Sequence, residues 1–236
     1  DVRPKSSRPT ALLFGLENTT DAKAEDDIPY ANSNTQLSYG AHEEVYLNHA
    51  NLSVYELSAA VILLSQPNVR RTVRRLCLAR NMLDDTQFCL LLDGLDGTAG
   101  LEHLDVSFNR LRHHSAIALA QQLARKRCPQ LLELNMGNNR LGDRGAAALM
   151  DAVANTGNHI ASLSLGAIEV GDRCGERLSE CLTTSYYLKH VDFSFNCLGT
   201  RGGVAVAEAL RTNGRLVRLD FRGCSLGDEG GEALIS

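Results

Sequence analysis

The chain has 236 residues, 44% of them hydrophobic, and 24 Lys and Arg against 28 Asp and Glu give a formal charge of −4. That apolar share can bury a core and excludes a collagenous or wholly disordered chain, while the acidic balance excludes nucleic acid as the main partner, because neutralising phosphates needs a basic excess. The longest apolar run, 59–64, is far short of the roughly 18 residues that cross a membrane, so a soluble chain with no membrane partner is expected.

Residues 1–41 carry Pro4, Pro9 and Pro29, many Ser, Thr, Asn and Asp, and one short apolar stretch at 11–14. Such a segment cannot bury enough surface to fold alone. It is predicted to be an extended polar arm, held by the rest of the chain or by another subunit.

From residue 42 onward the pattern changes. The chain holds 37 Leu but only 5% aromatics, which points to many copies of one small unit and not to one irregular core. A degenerate first unit starts at His42, with Val45, Leu47 and Leu52 in its apolar places, a helix predicted over 54–65 and Pro67 ending it. Clear units then start at 73, 101, 131, 160, 188 and 216. The first three read L-x-x-L-x-L-x-x-N-x-L, as in Leu101, Leu104, Val106, Asn109 and Leu111, and the same frame returns in the others.

After each eleven-residue segment the period changes from two to about four. Gly145, Leu149 and Val153 share one helical face, as do Gly202, Val206 and Leu210, with Gln87, Leu91 and Leu95 in the same register. Each unit is therefore strand, turn, helix, loop. Stacked units give an α/β solenoid with a parallel sheet on the inner, concave curve and helices on the outer, convex one, over residues 42–236 in about seven units, the last incomplete. Asn at the ninth place can donate to and accept from backbone in the turn, so successive copies should form a ladder. Ile168 and Cys224 stand there instead. Cys224 can offer a weak thiol bond, whereas Ile168 implies a looser or re-routed turn.

The unit resembles the leucine-rich repeat family, in its ribonuclease-inhibitor-like class. Asn139-Arg-Leu141-Gly142-Asp143-Arg-Gly145-Ala-Ala-Ala-Leu149 and Leu226-Gly227-Asp228-Glu-Gly230-Gly-Glu-Ala-Leu234 carry the likeness most closely. It implies a horseshoe-shaped solenoid that binds other proteins. With the curved polar face, the absent catalytic set, the arm and the unfinished end, it points to a scaffold subunit of a large intracellular, cytoplasmic assembly, and scaffolds of this class occur in cytoskeletal and ciliary complexes. The alternatives are a regulator of an enzyme, such as a Ran-type GTPase activator, or the sensor region of an immune receptor. The chain begins without Met and stops one turn into its last helix, which is read as a portion of a longer protein or an end sealed by a partner.

No chemistry-bearing motif competes with that reading. The glycine pairs Gly142/Gly145, Gly199/Gly202 and Gly227/Gly230 lack a following Lys-Ser/Thr and recur at one place in the repeat, so they are structural and no nucleotide cofactor is expected. Seven Cys show no C-x-x-C pair and no His/Cys spacing for zinc; free thiols and no metal are expected. His103 and His190 sit two residues before Asp105 and Asp192, but no nucleophile or closed cleft accompanies them on an open sheet, so no enzyme is expected.

Third and fifth places of each unit project from the inner sheet and are the candidate binding surface: Arg75, His103, Asp105, Glu133, Asn135, His190, Asp192, Arg218 and Asp220, with Cys77, Ser162 and Ser164 between them. Phe108 and Phe195, at the eighth place where no core needs them, are either rim anchors or rings folded over the turn. Arg70, Arg71, Arg74 and Arg75, with Arg80, form a basic patch that is either a solvated loop or a contact for an acidic partner. Partner proteins are expected on the concave face and the N-terminal arm.

Overall fold

A computed structural model describes residues 44–155 and 157–235; the arm at 1–41 and the start of the first unit lie outside the described residues. Seven strands of three residues each alternate with helices: β1 (Glu44–Tyr46), α1 (Val54–Leu64), α2 (Pro67–Thr72), β2 (Arg75–Cys77), α3 (Asp85–Gly94), β3 (His103–Asp105), α4 (His113–Ala124), β4 (Glu133–Asn135), α5 (Gly142–Asn155), β5 (Ser162–Ser164), α6 (Arg173–Thr184), β6 (His190–Asp192), α7 (Gly199–Thr212), β7 (Arg218–Asp220) and α8 (Gly227–Ile235). The strands form one parallel sheet in chain order. Equal places pair throughout, Arg75 with His103, His103 with Glu133 and on to His190 with Arg218. The third to fifth places of every unit are thus the strand, and the fourth points into the core.

The first, fourth, sixth and eleventh places are buried in units two to six, where Leu76, Leu104, Val106, Leu111, Phe193 and Leu198 are fully enclosed. Each such side chain removes enough apolar surface from water to contribute about 1.5–3 kcal/mol. In the seventh unit Leu216, Leu219, Phe221 and Leu226 are only partly covered. The helical register holds at Ser115, Leu119 and Leu123 and at Cys174, Leu178 and Leu182. It slips twice, each time at a capping box: Phe88, not Gln87, fills the core in α3, because the Gln87 side chain turns back to the Asp84 N–H, and Leu57, not Glu56, does so in α1, where Glu56 turns back to the Ser53 N–H. Pro67, expected only to end a helix, also starts α2 as its first residue, where its missing N–H costs nothing.

The ladder is built as its chemistry requires. Asn109 Nδ2 donates to the carbonyls of Leu78 in the preceding unit and of Val106 and Ser107 in its own, while Oδ1 accepts from the amides of Asn81 and Leu83. Asn139 and Asn196 repeat this arrangement. Cys224 Sγ donates to the Phe193 carbonyl at 3.1 Å. Ile168 re-routes the turn and does not loosen it: buried itself, it offers its carbonyl to the Gly142 N–H, and Cys224 takes the Leu198 N–H in the same way. The Cys224 carbonyl thus receives the eleventh-place amide that an Asn side chain takes elsewhere, whereas the Ile168 carbonyl takes the next amide along, that of the twelfth place.

Every turn also bends through the left-handed region at the eighth place. His49, Arg80, Phe108, Asn138, Ala167, Phe195 and Gly223 all have φ between 52° and 69°. For residues with a Cβ this costs roughly 1–2 kcal/mol each, and it turns the eighth side chain out onto the rim.

Candidate functional site

The inner face consists of two rows of side chains running across the strands. In the third-place row the Glu44 carboxylate meets Arg75 Nε at 3.3 Å, and His103 Nδ1 lies 2.6 Å from Glu133 Oε2, each pair bridging neighbouring strands. Ser162, His190 and Arg218 continue the row. Arg75 and His103 are half-buried, whereas Glu133, His190 and Arg218 are exposed.

The fifth-place row has a local task as well. Oδ1 of Asp105, Asn135, Asp192 and Asp220 accepts the N–H two residues on, from Ser107, Gly137, Ser194 and Arg222, at 2.9–3.1 Å. Short Asp and Asn side chains make this bond at the end of a strand. Their second polar atom remains available to the face. Asp192 Oδ2 accepts from Ser164 Oγ at 3.2 Å. Asp220 is the exception, clasped by Arg222 through Nε and a terminal nitrogen. The hydrogen bonds from Arg222 hold its carboxyl below the usual carboxylate range, so this member of the expected surface is already occupied. Cys77, in the same row, is buried, and burial, reinforced by the Asp105 charge, pushes its thiol up to about 11.

Phe108 and Phe195 both stand out from the rim, 43% and 65% exposed. The Arg80 guanidinium lies 4.1 Å over the Phe108 ring, and Phe195 rests beside Gly223, where a Cβ would come within 2.8 Å of the ring. The structure thereby brings together two matching clusters, His103-Leu-Asp105-Val-Ser107-Phe108 and His190-Val-Asp192-Phe-Ser194-Phe195, on β3 and β6. Three strand spacings, about 14 Å, separate them. Ser162, Ser164, Gly137 and Gly166 lie between, and a Cβ on Gly166 would come 3.0 Å from Ser194 Oγ. Glu133 and Asn135 of β4 also lie between, so the face runs from one cluster to the other across a carboxylate, an amide and two hydroxyls, with an imidazole, a carboxylate and an exposed ring on either side.

The notch between the first strands, lined by Glu44, Arg74, Arg75, Glu102 and His103, is open and lined by polar side chains. Among the described residues no group of three or more His, Cys, Asp or Glu is placed to hold a metal, and no helix is long and apolar enough to cross a membrane. All seven Cys are free; Cys128, Cys174 and Cys181 are buried and Cys197 is exposed. Sequence reasoning overlooked the second role of the fifth place, although the Asp-x-Ser spacing in units three and six could have shown it.

Comparison with known proteins agrees with the repeat. A leucine-rich repeat family model matches residues 127–150, 185–207 and 216–234. The ribonuclease inhibitor of Sus scrofa is 32% identical over 135 residues, 55% of this chain and 28% of that protein. NACHT, LRR and PYD domains-containing protein 5 of Mus musculus is 26% identical over 68% of this chain and 13% of its own length. Protein 12 of the same series from Homo sapiens is 32% identical over 52% of this chain and 11% of its own. The chain thus spans little more than a quarter of the ribonuclease inhibitors' length and less of the others.

Proposed function

Because the chain is a leucine-rich repeat protein of the ribonuclease-inhibitor-like class, we propose that it acts as a non-enzymatic scaffold that holds a partner protein on its concave face. The observation that carries this reading is the pair of matching His-x-Asp-x-Ser-Phe clusters, each presenting an exposed ring beside a charged strand, about 14 Å apart across β4 and β5. Rings with few rotatable bonds flanked by polar groups are the usual anchors of protein contacts. The N-terminal arm is proposed as a second contact. The setting proposed is a large intracellular assembly of cytoskeletal or ciliary kind, and seven free thiols, five of them buried, suit a reducing compartment.

Replacing both Phe108 and Phe195 with Ala tests the face. Both rings are on the rim and neither fills the core, so stability should change by no more than about 0.5 kcal/mol, while recovery of partner proteins on the tagged chain should fall at least tenfold. Undiminished recovery from an equally stable double variant would place the partner elsewhere.

A second reading, regulation of an enzyme, is favoured by the likeness to ribonuclease inhibitors. The mixed signs of the face, with Arg75, Arg218, His103 and His190 set among carboxylates, fit a basic enzyme less well than a partner of mixed charge.

A further inference from the structure

Charge is segregated along the solenoid. The six segments that lead from a helix into β2 to β7, residues 65–74, 95–102, 125–132, 156–161, 185–189 and 213–217, hold eight Arg and Lys and two acids. Both acids are already engaged, Asp96 by Arg127 and Glu102 by Arg74. The seven longer helices hold eleven acids and five Arg. An acidic protein therefore carries an excess of positive charge on the leading edge, at which the strands begin.

That edge also carries the aromatic side chains that the repeat does not use. His159 Nδ1 lies 3.4 Å from the Pro129 carbonyl, and its ring meets Tyr187 edge-on at 4.6 Å. Tyr187 meets Tyr186 edge-on at 5.1 Å, and the Arg215 guanidinium covers the Tyr186 ring at 4.4 Å. Tyr186 is 65% exposed, and exposed Leu132 and Val217 border the track. Among the described residues Arg125, Lys126 and Lys189 have no ion-pair partner.

We propose that the leading edge of units four to seven is a docking track for an extended acidic peptide segment of a partner protein. The track crosses three strand spacings, about 14 Å, the length of about four extended residues. Charge complementarity selects the occupant: carboxylates meet Arg125, Lys126, Lys189 and Arg215, and apolar side chains of the peptide lie against Tyr186, Tyr187 and Val217. Nucleic acid fits less well. The rings stand at 76° and 79° to one another and so offer no parallel faces to successive bases, and Arg215 already covers one of them. The surface is separate from the concave face, so either can fail without the other.

The test uses the whole chain and a fluorescein-labelled decapeptide of eight Glu around two central Leu, with binding read by fluorescence anisotropy at low salt. Affinity should fall at least tenfold in the Lys189→Glu/Arg215→Glu variant and at least threefold in Tyr186→Ala. It should be unchanged in Arg110→Glu/Arg140→Glu, which alters the opposite edge. Equal loss from both charge reversals, or no binding at all, overturns the proposal. Tighter binding of single-stranded oligouridylate or of phosphatidylserine vesicles at the same edge also overturns it, in favour of nucleic acid or lipid.

Discussion

Gly175→Ala should be among the most damaging single-methyl changes in this protein. A Cβ on Gly175 would sit 2.2 Å from the Gly202 Cα and 3.1 Å from its carbonyl carbon. Both atoms belong to backbone, so no side-chain rotation relieves the clash, and α6 and α7 must move apart. Ala has the higher helix propensity by about 1 kcal/mol, yet overpacking of this kind costs about 1–3 kcal/mol or more. A net loss of about 2 kcal/mol is expected in urea denaturation. In a stack where each unit contacts only its neighbours, that lesion falls on one interface, so the transition should also split, with units six and seven opening first. Gly231→Ala is the control. Nothing lies within 4 Å of a Cβ there, and the change should be neutral or stabilise by up to about 1 kcal/mol. If Gly175→Ala cost less than 1 kcal/mol, the close packing of these helices would be wrong.

The second large effect is expected at Asn109. Asn109→Ala removes the acceptor for the buried amides of Asn81 and Leu83 and the donor to three carbonyls. Leaving a buried polar group unmet costs about 1–3 kcal/mol. With two amides stranded, and carbonyls that retain other partners, the expected loss is about 3 kcal/mol, measured by chemical denaturation. Asn109→Asp should recover only part of it, since a carboxylate accepts but cannot donate. An equal loss in both variants would show that losing the donor bonds, with a buried carboxylate oxygen set against three carbonyls, costs as much as stranding the two amides. The protein tolerates Ile168 because backbone bonds around it were rearranged; a substitution at Asn109 has no such compensation in place.

Much of this architecture can be read from the sequence, for identifiable reasons. An apolar side chain at the first, fourth, sixth or eleventh place has only one environment in a stacked coil, so Leu104 or Leu163 announces its position by type alone. Asn109 and Asn139 are legible because only an amide both donates and accepts in a buried turn. Other features lie beyond such rules. The left-handed bend at the eighth place is occupied by Arg80, Phe108 and Ala167, and none of these announces a positive φ as Gly would. Phe88 displaces Gln87 because a cap competes with the register. The leading-edge track escapes the frame altogether: His159, Tyr186 and Arg215 lie in connecting segments of unequal length, and only the stacking of units brings them into line.

The candidate face was legible as a list of positions but not as an arrangement. Alternation assigns Asp105 and Asp192 to the inner surface. It does not reveal that each also caps the end of its strand, or that Arg222 occupies Asp220. Nor does it decide how far Phe108 and Phe195 stand from the rim, which depends on the backbone angle at the turn.

The central claim is that the concave face holds the partner. Hydrogen exchange read by mass spectrometry, comparing the free chain with the native complex purified on it, tests that most directly. Protection is predicted in peptides covering 103–108, 133–138 and 190–195, with little change in α4 to α7. Protection confined to the helices, or to the leading edge alone, would contradict it.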